Sequence, residues 1–140
     1  MAQLLWRQKE FRNLVLYRHR KYPVRRRLIG MFYPPMDTLY LDALEIGGGL
    51  YLQHGFATMV AAKSIGENCW INQQVTIGYN GQGEPPVIGD HVTITCGAKV
   101  LGPIHVGDHV TVGANAVVIR DVPDHCVVGG VPAKILKSTS

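Results

Sequence analysis

The sequence has 140 residues, 46% of them hydrophobic, and a formal net charge of +4; that length suits one domain with its own core. The apolar stretch near Met1 is interrupted by Arg7, Lys9 and Glu10, which argues against a signal peptide or a membrane span and predicts a cytosolic chain. Three widely spaced cysteines, Cys69, Cys96 and Cys126, form no Cys-x-x-Cys pair, so zinc and dithiol chemistry lack support, and a buried reduced thiol is expected at Cys69.

Charge divides the chain near Gly30 to Asp37. Residues 1–30 hold nine of the fourteen Lys and Arg against one acid, Glu10, and the remainder is net acidic. From Gln3 to about Arg20, apolar positions such as Leu4, Phe11, Leu14 and Val15 recur at helical spacing. This predicts one helix that Pro23 ends, with Pro34-Pro35 marking an extended connection. Arg18, Arg20, Lys21, Arg25, Arg26 and Arg27 crowd the segment, with Tyr17, Tyr22, Leu28, Ile29, Phe32 and Tyr33 among or beside them. That composition suits a solvated basic helix or peripheral contact with the inner face of a membrane. No recognition motif accompanies the charge, so no nucleic-acid partner is expected. Residues 1–43 are thus expected to form a basic, partly helical segment and 44–136 a separate domain.

The second unit is governed by a period of six. Ile65, Ile71 and Ile77, then Ile88, Ile94, Val100, Val106, Val112 and Val118, are all β-branched. Four residues after most anchors comes another small or apolar residue: Cys69, Val75, Val92, Ala98, Ile104, Val110, Ala116, Val122. The residue after the anchor is often glycine, which permits turn angles, and Asn, Asp or His commonly follow. Each hexapeptide is read as one short strand and one corner. Three make a triangular turn, and turns stack by parallel pairing at about 4.8 Å. The fold class expected is therefore all-β, a parallel β-helix with a short α-helical lead-in. Two gaps break the register. Leu52 to Ile65 is one residue longer than two repeats, and Ile77 to Ile88 carries an insertion, Tyr79-Asn-Gly-Gln-Gly-Glu-Pro-Pro86. Loops leaving a rigid scaffold tend to carry function.

Runs such as Ile88-Gly-Asp-His-Val-Thr and Val112-Gly-Ala-Asn-Ala-Val resemble the hexapeptide-repeat acyltransferases, over roughly Glu45 to Lys134. The resemblance implies a left-handed helix, which the period alone does not decide, because parallel crossovers are normally right-handed. Leu50-Tyr-Leu-Gln-His-Gly55 and Glu10-Phe-Arg-Asn-Leu-Val-Leu-Tyr-Arg18 are similar to segments of the serine acetyltransferase branch. The first of these holds that branch's catalytic histidine.

Acyl transfer from a thioester to a hydroxyl needs a base for the hydroxyl, donors for the oxyanion and a proton for the thiolate. A neutral imidazole can serve the first and third, and backbone N–H groups the second. By position alone, His54 reads equally as a catalytic group or a surface residue. The resemblance makes it the general base. His91, His105, His109, His125 and His19 are expected on the surface. Carbonic anhydrases of the same fold bind zinc through three histidines, but no such set is apparent, and no metal is expected. The resemblance also implies acetyl-CoA as co-substrate, held along small corner residues at Gly78, Cys96, Gly97, Ala98, Gly113 and Ala114. Lys134, in the closing Gly130-Val-Pro-Ala-Lys134, would meet the coenzyme's phosphates. It further implies a homotrimer with sites between subunits.

This chain departs from the branch at two positions assigned to the acceptor. Gln53 precedes His54 where the branch has Asp, and Glu84-Pro85-Pro86 replaces Arg-His-Pro. The acid orienting the imidazole has no clean match, Asp37 being only nearby. A glutamate in place of the carboxylate-gripping arginine argues against an amino-acid acceptor. The expected acceptor is thus a hydroxyl of a sugar or glycan, as in surface-polysaccharide biosynthesis. The alternatives are a serine O-acetyltransferase and a non-catalytic β-helix assembly module.

Overall fold

A computed structural model describes residues 2–81 and 83–139; Gln82, inside the expected loop, lies outside them. Three helices lead, α1 (Ala2–Arg7), α2 (Lys9–Arg18) and α3 (Pro23–Phe32). The expected single helix from Gln3 to Arg20 is divided, because Gln8 takes an extended conformation, with φ −116° and ψ 105°. Pro23 starts a helix as well as following one. It occupies the first turn of α3, where its missing N–H costs nothing and its fixed φ suits the helix.

The chain then winds as a solenoid. Its first turn contains β1 (Leu39–Leu41), β2 (Glu45–Ile46) and β3 (Tyr51–Leu52). The next contains β4 (Thr58–Val60), β5 (Ser64–Ile65) and β6 (Trp70–Ile71), followed by β7 (Thr76–Gly78), β8 (Val87–Ile88) and β9 (Thr93–Ile94). After β10 (Lys99–Leu101), β11 (His105–Val106) and β12 (Thr111–Val112) come β13 (Val117–Val118), β14 (Cys126–Gly129) and β15 (Lys134–Ser138). The solenoid begins at Leu39, upstream of the boundary at 44 that the repeat suggests.

Three parallel walls result. The first stacks β1-β4-β7-β10-β13, the second β2-β5-β8-β11, and the third β3-β6-β9-β12-β14. β15 turns back antiparallel onto β14 and closes the third wall. All nine anchors from Ile65 to Val118 point inward and are at most 2% exposed. Each such buried Val or Ile contributes roughly 1.5–3 kcal/mol, so the repeat that defines the coil also supplies its core.

The three edges of the prism differ. Between the second and third walls lies a regular edge. Here the Asp108 carboxylate accepts from Asp90 N at 2.7 Å, and that of Asp124 from Asp108 N at 2.9 Å. His91, His109 and His125 form a stacked column, with ring centroids 4.7 Å apart at both steps. The left-handed backbone of this edge falls on Gly49 in the first turn, with φ 71°, and then on Asn68, His91, His109 and His125, with φ of 53–55°, not on the glycines after the anchors. Those glycines serve close stacking instead: a Cβ on Gly66 would lie 2.5 Å from the Gly89 carbonyl oxygen. The edge between the first and second walls carries the inserted loop. The edge between the third and first walls carries His54.

Helix α2 covers the open end of the coil beside β1. Leu16 and Tyr17 are buried, and the Tyr17 hydroxyl donates to Ala43 O at 3.0 Å. Asn13 Nδ2 donates to the carbonyls of Met36 and Leu39 at 2.9 and 2.8 Å, and Asn13 Oδ1 accepts from Met36 N. Unpaired strand groups at a solenoid end are thereby covered. Helix α3, by contrast, buries no residue.

Candidate active site

His54 stands at the corner between β3 and β4, with its side chain exposed. The extra residue foreseen between Leu52 and Ile65 is accommodated at this corner. Leu52 pairs with Ile71 across a turn longer than three hexapeptides. Three residues here have positive φ: His54 at 64°, Gly55 at 48° and Ala57 at 51°. Single positive-φ residues also mark the regular corners, as at His91 and Gln74, so what sets this corner apart is that three fall within four residues. Gly55 has little room for another residue, since a Cβ would meet Glu10 Cγ at 2.6 Å. Helix α2 thus packs a carboxylate-bearing side chain against the His54 corner, which no repeat pattern reveals.

Further along the same edge lie the other corners in register. Gln74 N donates to Phe56 O, Gly97 N to Gln73 O, and Asn115 N to Cys96 O, at 3.0–3.1 Å. This ladder lines up His54, Gln73, Cys96, Gly97, Gly113 and Ala114 along one edge. Ala98 adjoins it but is fully buried, so its side chain faces the core. Cys96 is half-buried and Ala114 exposed. Gly78 and Glu84 lie on the loop edge, and Lys134 is exposed at the start of β15.

Gln53 is engaged sideways along the third wall. Its Oε1 accepts from Trp70 Nε1 at 3.1 Å, and Trp70 meets Tyr51 edge to face at 5.3 Å. Gln73 presents the opposite case: its Oε1 is buried without a hydrogen-bond partner among the described residues. An unpaired buried acceptor costs about 1–3 kcal/mol and calls for a donor. Lys99 Nζ donates to Gln74 O at 2.7 Å beside it. Neither Gln73 nor Lys99 stands out in sequence, because the repeat says nothing about hydrogen bonding between turns.

Glu84 forms an ion pair with Lys63 at 2.6 Å, both side chains being about half exposed or more. The charge that argued against an amino-acid acceptor is thus taken up by a lysine of the preceding turn. Among the described residues, no cluster of three His, Cys, Asp or Glu side chains is placed to hold a metal ion. Burial pushes the Cys69 thiol above its ordinary range, and the carboxylates of Asp90 and Asp108 add to that, while its backbone hydrogen bond opposes it. Cys126 is likewise raised by burial, then by Asp124. Both are free thiols buried in the core.

Comparison with known proteins accords with this geometry. The bacterial transferase hexapeptide family (six repeats) matches residues 85–120. A serine acetyltransferase of Staphylococcus aureus is 37% identical over 128 residues, covering 87% of this chain and 59% of that protein. The serine acetyltransferase of Neisseria gonorrhoeae in complex with serine superposes with a TM-score of 0.73 at 32% identity, over 90% of this chain and 56% of the other. That of Brucella abortus in complex with coenzyme A gives a TM-score of 0.67 at 29% identity, over 99% and 56%. The chain therefore spans about 59% of the length of the curated relative.

These relatives overturn the sugar or glycan acceptor, and with it polysaccharide biosynthesis. They are named serine acetyltransferases, and one holds serine. Glu84, on which that inference rested, is engaged by Lys63 of the preceding turn. Repeat, solenoid and relatives agree: the chain belongs to the hexapeptide-repeat family of left-handed β-helix acyltransferases, in the branch that holds the serine acetyltransferases.

Proposed function

We propose that this chain transfers an acetyl group from acetyl-CoA to the hydroxyl of serine. The observation that carries this reading is the edge itself. It has an exposed histidine in an irregular corner at one end, small residues in register beyond it, and a buried acceptor without a partner among the described residues between them. Serine as the acceptor is supported by the serine acetyltransferase relatives, one of them solved with serine.

In this reading His54 takes the proton of the serine hydroxyl as the oxygen attacks the thioester carbonyl. The negative charge developing on the carbonyl oxygen is met by backbone N–H groups of the edge. Collapse of the tetrahedral species breaks the C–S bond, and the imidazolium returns its proton to the thiolate. Gly97, Gly113, Ala114 and the half-buried Cys96 let the extended pantetheine arm approach the backbone. The Gln73 Oε1 accepts an N–H from a substrate. Gln53 borders the acceptor, and Lys134 meets the coenzyme's phosphates.

Assembly as a homotrimer belongs to the same proposal. Tyr51, Phe56, Met59 and Trp70 are 43–49% exposed and flank the His54 edge on both sides. Copies of the chain seated there would enclose the coenzyme.

The test is thiol release from acetyl-CoA with and without serine, with O-acetylserine identified by mass. Serine-dependent release of both products supports the reading. Thiol release that serine leaves unchanged contradicts it.

A further inference from the structure

Helix α3 has an apolar stripe that is left largely open to solvent. Val24, Leu28, Met31 and Phe32 fall at i, i+4, i+7 and i+8, which on a helix makes one face of roughly 100°. They are 72%, 51%, 69% and 69% exposed. The same spacing puts Arg27 along one border of the stripe and Arg25 along the other. Arg26 falls on the opposite side, where it lines a cleft with Leu16, Arg20 and Gly30. Trp6 of α1, 70% exposed, stands edge-on to Tyr33 at 5.8 Å, beside the Phe32 end of the stripe. Among the described residues no arginine of α3 has a carboxylate partner.

We infer that α3 is an interfacial helix that docks the chain on an anionic lipid surface. Leu28, Met31 and Phe32 would enter the boundary between headgroups and acyl chains. Arg25 and Arg27 would extend from the borders of the stripe to the phosphates, as long cationic side chains do, with Trp6 at the same interface. Charge decides the occupant. A second copy of the stripe would bring Arg25 and Arg27 of both helices together without a carboxylate between them. A cleft lined by Pro23, Arg26 and Gly30 runs along the side of α3 away from the stripe and reaches Arg27 at its border. No helix of the described residues is long and apolar enough to cross a membrane, so the contact is peripheral. The inference stands apart from the acetyl-transfer reading.

Cosedimentation with vesicles of phosphatidylcholine alone, and of phosphatidylcholine mixed with phosphatidylglycerol, tests it. The protein should pellet with the mixed vesicles at low salt, several-fold less at high salt, and not with phosphatidylcholine alone. The double variants Leu28→Ser/Phe32→Ser and Arg25→Gln/Arg27→Gln should each lose pelleting several-fold. Their circular dichroism should be unchanged, because none of the four side chains is buried. Variants that pellet as well as the wild type would overturn the inference. So would failure to pellet with either vesicle at low salt. A sedimentation mass that Leu28→Ser/Phe32→Ser lowers, in a protein that binds no vesicle, would assign the stripe to a second copy and also overturn it.

Discussion

Two edges of one prism are built from the same hexapeptide and have opposite characters. The edge of His91, His109 and His125 repeats turn after turn: carboxylates accept from the next backbone N–H, and imidazoles stack on imidazoles. The Asp90, Asp108 and Asp124 carboxylates are all engaged within the edge. The edge of His54 carries an extra residue, three positive-φ positions in one corner, an unpaired Gln73 Oε1 and aromatic flanks open to solvent. A regular repeat engages its own carboxylates, and the proposed reading puts the chemistry where the repeat is broken.

The sharpest way to break this comparison is to remove a histidine from each edge in turn. His54→Ala should lower serine-dependent turnover by roughly two orders of magnitude or more, the scale of a lost general base. His109→Ala should leave turnover close to wild type. Equal losses would mean that the two edges do not divide the work, and a silent His54→Ala would move the base elsewhere.

A second test fills the small-residue column. Ala114→Trp should raise KM for acetyl-CoA by about tenfold or more, equivalent to about 1.4 kcal/mol of lost binding. The far-ultraviolet spectrum should stay unchanged, because Ala114 is exposed. An unaltered KM would place the coenzyme away from this edge.

The regular edge should respond in stability instead. Asp108→Ala removes the acceptor for Asp90 N and should cost about 1 kcal/mol in denaturant unfolding, with turnover retained. A loss of turnover at undiminished stability would give this edge a catalytic part.

The smallest effect concerns the thiols. Cys96, half-buried on the His54 edge, should react with iodoacetamide well before Cys69 and Cys126. Because the fold raises the Cys69 pKa above 9.0, it holds the proton more tightly than the unfolded chain does. Stability owed to this group is therefore complete below pH 9.0 and falls as pH rises beyond it. Alkylation of all three at one rate would contradict the burial.

Much of the scaffold is legible in the sequence because a β-branched residue every sixth position has one satisfactory packing. Each anchor and nearly every residue four places on is buried as that logic requires. The one-residue excess after Leu52 likewise marks the corner that carries His54. What escapes is whatever depends on contacts between turns or on context. Pro23 reads as a stop, yet proline fits the first turn of a helix equally well. Glu84 reads as a hostile charge until Lys63, a full turn earlier, is beside it. The His column could be suspected from His91 and His109 sharing a hexapeptide position, but the stacking is a property of the assembled edge. The unpaired oxygen of Gln73 has no signature in sequence at all.

The central claim, that the His54 edge is the ligand edge, is most directly tested by amide hydrogen exchange with and without coenzyme A. Protection should rise around Gln73, Cys96 to Ala98 and Gly113 to Asn115, and stay unchanged at Gly89 to His91 and Gly107 to His109. Protection that gathers on the His91–His109–His125 edge, with the His54 edge unaffected, would contradict the account.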